Sequence, residues 1–312
     1  MRGALLLLLV ASCGPIDSEG FYGKVEDARC DYLVRCKAVA NAADCHAYFD
    51  QTAIVSENLD AAIENDTVEY HRGTAEDCID AYGDLSCNLA EQVDALAACD
   101  DVFTGTIPNG GPCVIDLECT SRVCVTFACP DACCPGECMP ARAQPGIDEP
   151  CTSFCVDGAY CSSDSICHAF LPKGAACDMT AICEYGLYCS GASAGGSGVC
   201  KVLPQQGETC EGPCATEGLL CIAGTCQPAG LTGDPCATDD DCSAFYACTG
   251  NVCGAFPRVG EMCRDRCSGE AYCGNDGTCL AQKLSGDACM YNIECKTHFC
   301  DKFVCSSPAL CF

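Results

Sequence analysis

Three textures of apolar and polar residues follow one another along the chain. The first is a short apolar run, Ala4–Val10, behind Arg2 and ahead of the small pair Ala11-Ser12. It falls well short of the ~20 residues that span a bilayer and has the length of an export signal's apolar stretch. In the second texture, apolar positions recur at helical spacing as far as about Gly105. Ala28, Tyr32, Leu33, Cys36 and Val39 share a face over Asp27–Val39, which predicts an amphipathic helix. Thr74 followed by Asp77 reads as a capping box opening a helix through Cys78, Ile79 and Tyr82. Asn88 followed by Glu91 reads the same way for Leu89, Val93, Leu96 and Ala97. In the third texture periodicity stops. Glycine, proline and evenly spaced cysteine take over, with only a few large apolar residues per stretch, such as Phe245 and Tyr246 or Tyr185, Leu187 and Tyr188.

The spacing in that third region is a repeat. Cys151, Cys155, Cys161 and Cys167 form one set of four; Cys177, Cys183, Cys189 and Cys200 the next; then Cys210, Cys214, Cys221 and Cys226. Cys236, Cys242, Cys248 and Cys253 follow, then Cys263, Cys267, Cys273 and Cys279, and finally Cys289, Cys295, Cys300 and Cys305, with Cys311 left over. First cysteines lie 26, 33, 26, 27 and 26 residues apart, and Gly-x-x-Cys introduces most sets, from Gly174 to Gly286. The gap between first and second cysteine alternates between three and five residues, which suggests that the unit is a pair of modules. An opening segment, Cys113–Cys138, holds seven cysteines. Its odd count and that of the last set predict a bridge between segments or differently capped ends. Four cysteines allow three pairings; first-to-third with second-to-fourth is the expectation. Hairpins are expected at Thr249-Gly250-Asn251-Val252 and Gly274-Asn275-Asp276-Gly277.

Composition explains why so many cysteines are present. There are 39 in 312 residues, no tryptophan, and only 7% aromatics, so little apolar area is available for a core. Small modules with thin cores need covalent staples, which form in an oxidising compartment. Six cysteines, Cys30, Cys36, Cys45, Cys78, Cys87 and Cys99, fall in the helical region and allow three bridges there. The net charge of −28, of which residues 14–105 carry −15 from 20 acidic and 5 basic side chains, argues against nucleic acid or anionic head groups as partners.

Val10-Ala11-Ser12-Cys13 resembles the lipobox of bacterial lipoproteins. The resemblance implies cleavage before Cys13, a diacylglycerol on its thiol, and an anchor of several acyl chains. Gly14 in place of an aspartate implies sorting to the outer membrane. Removing Cys13 from the count leaves an even 38. In the repeats, Gly-x-x-Cys with an acid before the second cysteine (Glu118, Asp241, Glu294) and two further cysteines resembles the Dickkopf N-terminal cysteine-rich region. The whole plan is similar to predicted bacterial lipoproteins with Dickkopf-like repeats, including a link such as Val102-Phe103-Thr104-Gly105 leading into Gly111-Pro112-Cys113. That bacterial group brings no established activity with it. In the Cys177 module Ile182 replaces the acid.

Candidate chemistry is sparse. Gly191-Ala192-Ser193-Ala194-Gly195 matches the Gly-x-Ser-x-Gly of serine hydrolases, but that chemistry needs a strand-to-helix turn that so small a module does not offer. No Cys-x-x-Cys occurs for zinc or thioredoxin-like chemistry, and the adjacent pair Cys133-Cys134 reads as structural. His46, His71, His168 and His298 are scattered. Asp239-Asp240-Asp241 lacks the alternating ligands of a calcium loop. No catalytic residue, metal site or cofactor is assigned.

The sequence therefore predicts small disulfide-rich repeat modules with short β-hairpins, preceded by a small helical disulfide-linked domain. The divisions are a signal peptide at 1–12, a lipidated tether at 13–20, a six-cysteine helical domain at 21–105 and a repeat region at 106–312. The expected shape is a quasi-linear string in which each module contacts mainly its neighbours. The expected function is a non-catalytic outer-membrane lipoprotein, held in the membrane through Cys13 and exposed at the cell surface, that binds a protein or glycan. A protease-resistant spacer and a hydrolase inhibitor are the alternatives.

Overall fold

A helix-capping aspartate opens the first helix. In the computed structural model, the described residues are 16–306 other than 50–56, 126–134, 142–143, 152–154, 157, 179–181, 193–195, 265, 270 and 298. Asp17 accepts the Gly20 amide at 2.8 Å and opens α1 (Ser18–Arg35), so the helix starts inside the stretch read as tether. It ends before Lys37, whose φ of 59° leaves the helical region. Ala38 and Val39, expected in the helix, are buried in the turn that follows. After α2 (Ala42–Phe49), α3 (Glu57–Glu64) and α4 (Arg72–Asp84) comes a short α5 (Ala97–Asp100). The Thr74–Asp77 box is not the start of α4, because His71 stands at the cap and Thr74 already lies in the first turn. Asn88 does cap, accepting the Ala90 amide at 3.2 Å. It opens only a single 3-10 turn at Leu89–Glu91, because Asp94 at φ 59° breaks the path before α5.

Two short strands were not legible in the sequence. β1 (Val68–Tyr70) and β2 (Phe103–Gly105) pair antiparallel and close the helical base. Phe21, Leu59, Val68, Ala75, Val102 and Phe103 form its core, with the Phe21 and Phe103 rings 5.6 Å apart edge to face. Three disulfides bind the helices: Cys30–Cys45 between α1 and α2, Cys36–Cys87, and Cys78–Cys99 between α4 and α5.

Beyond Gly105 the elements are two- to five-residue strands held by cystines. Each set of four cysteines pairs first with third and second with fourth, as in Cys151–Cys161 with Cys155–Cys167 and Cys236–Cys248 with Cys242–Cys253. The opening segment does the same through Cys113–Cys124 and Cys119–Cys138. It is therefore a module itself, and the series has seven members whose first gap runs five, three, five, three, five, three, five. Seventeen disulfides join all 34 described cysteines, and among these none crosses between modules. Cys129, Cys133, Cys134 and Cys311, on which the expected bridge between end segments depends, lie outside the described residues, as does Cys13.

The sequence motifs of the repeat have backbone reasons. In Gly-x-x-Cys the glycine takes φ between 84° and 99° and donates its amide to the carbonyl of the module's fourth cysteine, as Gly207 does to Cys226 at 2.8 Å. That left-handed corner favours glycine; Asp148 fills it in the second module at φ 66°. Gly250 and Asn251, at φ 63° and 65°, form the two-residue hairpin turn between Ala247–Thr249 and Val252–Gly254. Strands at Ala271–Cys273 and Cys279–Ala281 likewise pair around the Gly274–Gly277 turn.

The alternating gap is an alternation in how a module hooks onto the linker before it. Five-residue gaps carry a 3-10 turn, as at Asp116–Glu118, Asp239–Asp241 and Asn292–Glu294, and their second cysteine makes a parallel bridge upstream, as Cys242 does to Gly230. Three-residue gaps instead place an amide on a proline carbonyl: Val156 on Pro145, Ala215 on Pro204, and Ser268 on Pro257. The acid before the second cysteine caps the 3-10 turn. Asp241 accepts the Ala237 and Thr238 amides at 2.7 and 2.9 Å, which hold its carboxyl below the ordinary range.

Candidate functional site

The repeat region does not run free as a string; it folds back on the helical base. Tyr246, which the sequence offered as apolar surface of its own module, is buried against the base. Its hydroxyl donates to Asp44 at 2.8 Å and accepts the Ala40 amide at 2.8 Å. Ser243 donates to the Ala38 carbonyl, and the Phe245 ring lies 4.8 Å from Tyr48. From the fourth module, Ala215 accepts the Leu89 amide and Glu217 donates to the Cys87 carbonyl, both at 2.8 Å. Gly218, at φ 78°, passes so close that a Cβ there would sit 2.7 Å from the Cys36 carbonyl oxygen. The first module joins through Thr67, which donates to Glu118 at 2.8 Å, and through Arg122 on the Phe103 carbonyl at 3.1 Å. In the third, Gly186 packs on Ala90. The physical reason is the lack of a core within the modules. The fully buried residues in the clusters of the first to fourth and last modules are cysteines alone, so a module has little room of its own to bury a large side chain.

This packing leaves a cleft of ≈690 Å³ where the fourth, fifth and sixth modules meet, within the range of small-molecule sites. Leu220, Phe256 and Met262 supply apolar wall, and Asp239, Asp240, Arg264 and Arg266 supply charge. Its frame is fixed by Cys236–Cys248, Cys242–Cys253 and Cys263–Cys273. Of the three consecutive aspartates weighed for calcium, Asp241 caps the 3-10 turn and Asp239 accepts the Cys248 amide at 2.7 Å. Asp240 alone of the three keeps a carboxylate with no hydrogen-bond partner among the described residues. Arg264 and Arg266 form no ion pair among the described residues, in a chain with 44 acidic side chains. The sequence reading missed both arginines. The available signal was two of only 16 basic residues standing in one three-residue stretch.

The other candidates do not assemble. His46 meets Glu26 at 2.7 Å, His71 meets Thr104 at 3.0 Å and His168 meets Asp164 at 2.9 Å, in three separate places. Ser193, His298 and Cys133-Cys134 lie outside the described residues. Groups of three cysteine sulfurs lie close together in the modules, such as Cys210, Cys214 and Cys226, but these sulfurs are in disulfides and present no thiolate to a metal. A second exposed surface is the last module, where Met290, Tyr291 and Phe303 are 68%, 62% and 74% exposed. Among the described residues no helix is long and apolar enough to cross a membrane.

Comparison with protein-family models, curated proteins and solved structures finds no match for this chain.

Proposed function

We propose that the chain is a non-catalytic cell-envelope lipoprotein, anchored through Cys13 in the outer membrane, whose stapled repeat region binds a partner at the cell surface. The observation that carries the binding role is the cleft at the junction of the fourth to sixth modules, rimmed by the Arg264 and Arg266 guanidinium groups, which form no ion pair among the described residues. Cystine-fixed walls present such a site at low entropic cost. The leader, Cys13 and the resemblance to bacterial lipoproteins with Dickkopf-like repeats support export and anchoring. The cystine density supports an oxidising compartment. Four of the seven modules touch the base, which favours a platform over an extended spacer.

Cross-linking on intact cells with a membrane-impermeant reagent, followed by mass spectrometry of the adducts, tests this. The expected result is labelled protein joined to a recurrent partner. Protein that the reagent never reaches would end the surface assignment. Labelled protein without any partner would move the reading to the spacer.

A further inference from the structure

We infer that the cleft between the fourth, fifth and sixth modules takes a small amphiphile with a single oxyanion head, held by Arg264 and Arg266, and an apolar body lying on Leu220, Phe256 and Met262. The inference rests on the reading of the protein as a binding protein and names the ligand chemistry of that site. Guanidinium groups match carboxylate and phosphate geometry and bind them with two parallel hydrogen bonds. In this chain acidic side chains outnumber basic ones by 44 to 16, and several cations are engaged within the fold: Arg35 donates to the carbonyls of Tyr82, Gly83 and Leu85, and Lys283 pairs with Glu294. Arg264 and Arg266 stand in the cleft with no such partner among the described residues.

Two further features narrow the class. Met262 is 77% exposed at the cleft, a flexible apolar side chain that an apolar ligand body would cover. Asp239 and Asp240 line the same cleft, and their charge, with the −28 of the whole chain, repels a polyanion. One negative group on an apolar body satisfies both arginines without that conflict, whereas a nucleic acid or polyphosphate does not. Carboxylate and phosphate heads share this chemistry and differ in source.

The test is calorimetric titration of the mature oxidised chain at pH 7 and low salt with octanoate, octyl phosphate and uncharged octan-1-ol. Either anion is expected to bind one to one at least tenfold more tightly than octan-1-ol. The tighter of the two then assigns the head group to a carboxylate or phosphate source. The double variant Arg264→Gln, Arg266→Gln is expected to lose at least tenfold for the anions and nothing for octan-1-ol; Met262→Gln should weaken all three. Because these side chains are exposed, an unchanged disulfide mass and circular dichroism spectrum establishes that a variant is folded. Anions that bind no better than octan-1-ol, no binding at all, or a double variant that binds anions like the parent would overturn the assignment. If the double variant still captures the same partner on intact cells, the binding function stands while the cleft assignment falls.

Discussion

The helical base and the cystine modules solve the same problem of a thin core in different ways. The base gathers Phe21, Leu59, Val68, Val102 and Phe103 from four of its elements and the residue before β2, and adds three disulfides. A module has two cystines and almost nothing else inside, as in the cluster of Cys210, Cys214 and Cys226. Each first-to-third bridge closes a loop of 10 to 12 residues, as at Cys151–Cys161 and Cys177–Cys189, worth roughly 3 kcal/mol by chain entropy. The comparison teaches that the modules hold their local shape covalently, and that those touching the base, the fifth above all, bury large side chains such as Tyr246 against it.

The largest expected effect comes from full reduction. The modules should lose all amide protection in hydrogen exchange, while α1, α4 and the β1–β2 pair keep a measurable share through their apolar core. Equal loss in both regions would erase the distinction drawn between them. Next, replacing Cys242 and Cys253 together with serine should cost about 3 kcal/mol. Exchange should rise over 231–256 and at Ala40, whose amide bonds to Tyr246, and remain unchanged in the second module. Tyr246→Phe removes the hydroxyl shared by Asp44 and Ala40 and should cost about 1–2 kcal/mol, read as a lower melting temperature with every disulfide intact. An unchanged melting temperature would mean that the fifth module is not docked as described.

The smallest expected effect is a pH dependence. Burial raises the Glu217 carboxyl above its ordinary value, and Arg29 only partly opposes this. The folded state therefore holds that proton more tightly than the unfolded one. Its contribution to stability falls as pH rises from the ordinary value through the raised one, and returns on acidification. Glu294, lowered first by its hydrogen bond from Lys283, and Asp241, lowered by backbone amides, act in the opposite sense. Their contributions are present above the ordinary carboxylate range and fade as pH drops through their lowered values. Glu217→Gln should remove the first dependence, so that melting curves between pH 4 and 7 diverge from those of the parent most at pH 7.

The cysteines made the modules legible because spacing records loop length directly, and the Gly250-Asn251 turn follows from local chain geometry; the pairing was one of three that four cysteines allow. The base was legible as helical texture, but its ends were not. Asp17, Lys37 and Asp94 set those ends through capping and left-handed backbone that apolar periodicity does not register. The β1–β2 pair joins residues about 35 positions apart, and three-residue strands carry too little alternation to be seen. Docking was the least legible feature. Tyr246 and Phe245 read as apolar, yet nothing in their neighbourhood says that Asp44, Ala40 and Tyr48 receive them. The cleft depends on that docking and on neighbouring modules, so Arg264 and Arg266 stood in the sequence only as two charges in a weakly acidic stretch.

Peptide mapping of the unreduced protein tests the central claim most directly, namely that each module is closed by its own two cystines and the base by its own three. The predicted fragments join Cys30 to Cys45, Cys36 to Cys87 and Cys78 to Cys99, and pair first with third and second with fourth from Cys113–Cys124 through Cys295–Cys305. A fragment linking two modules through any of these cysteines, linking a module to the base, or pairing a first with a second cysteine would contradict it.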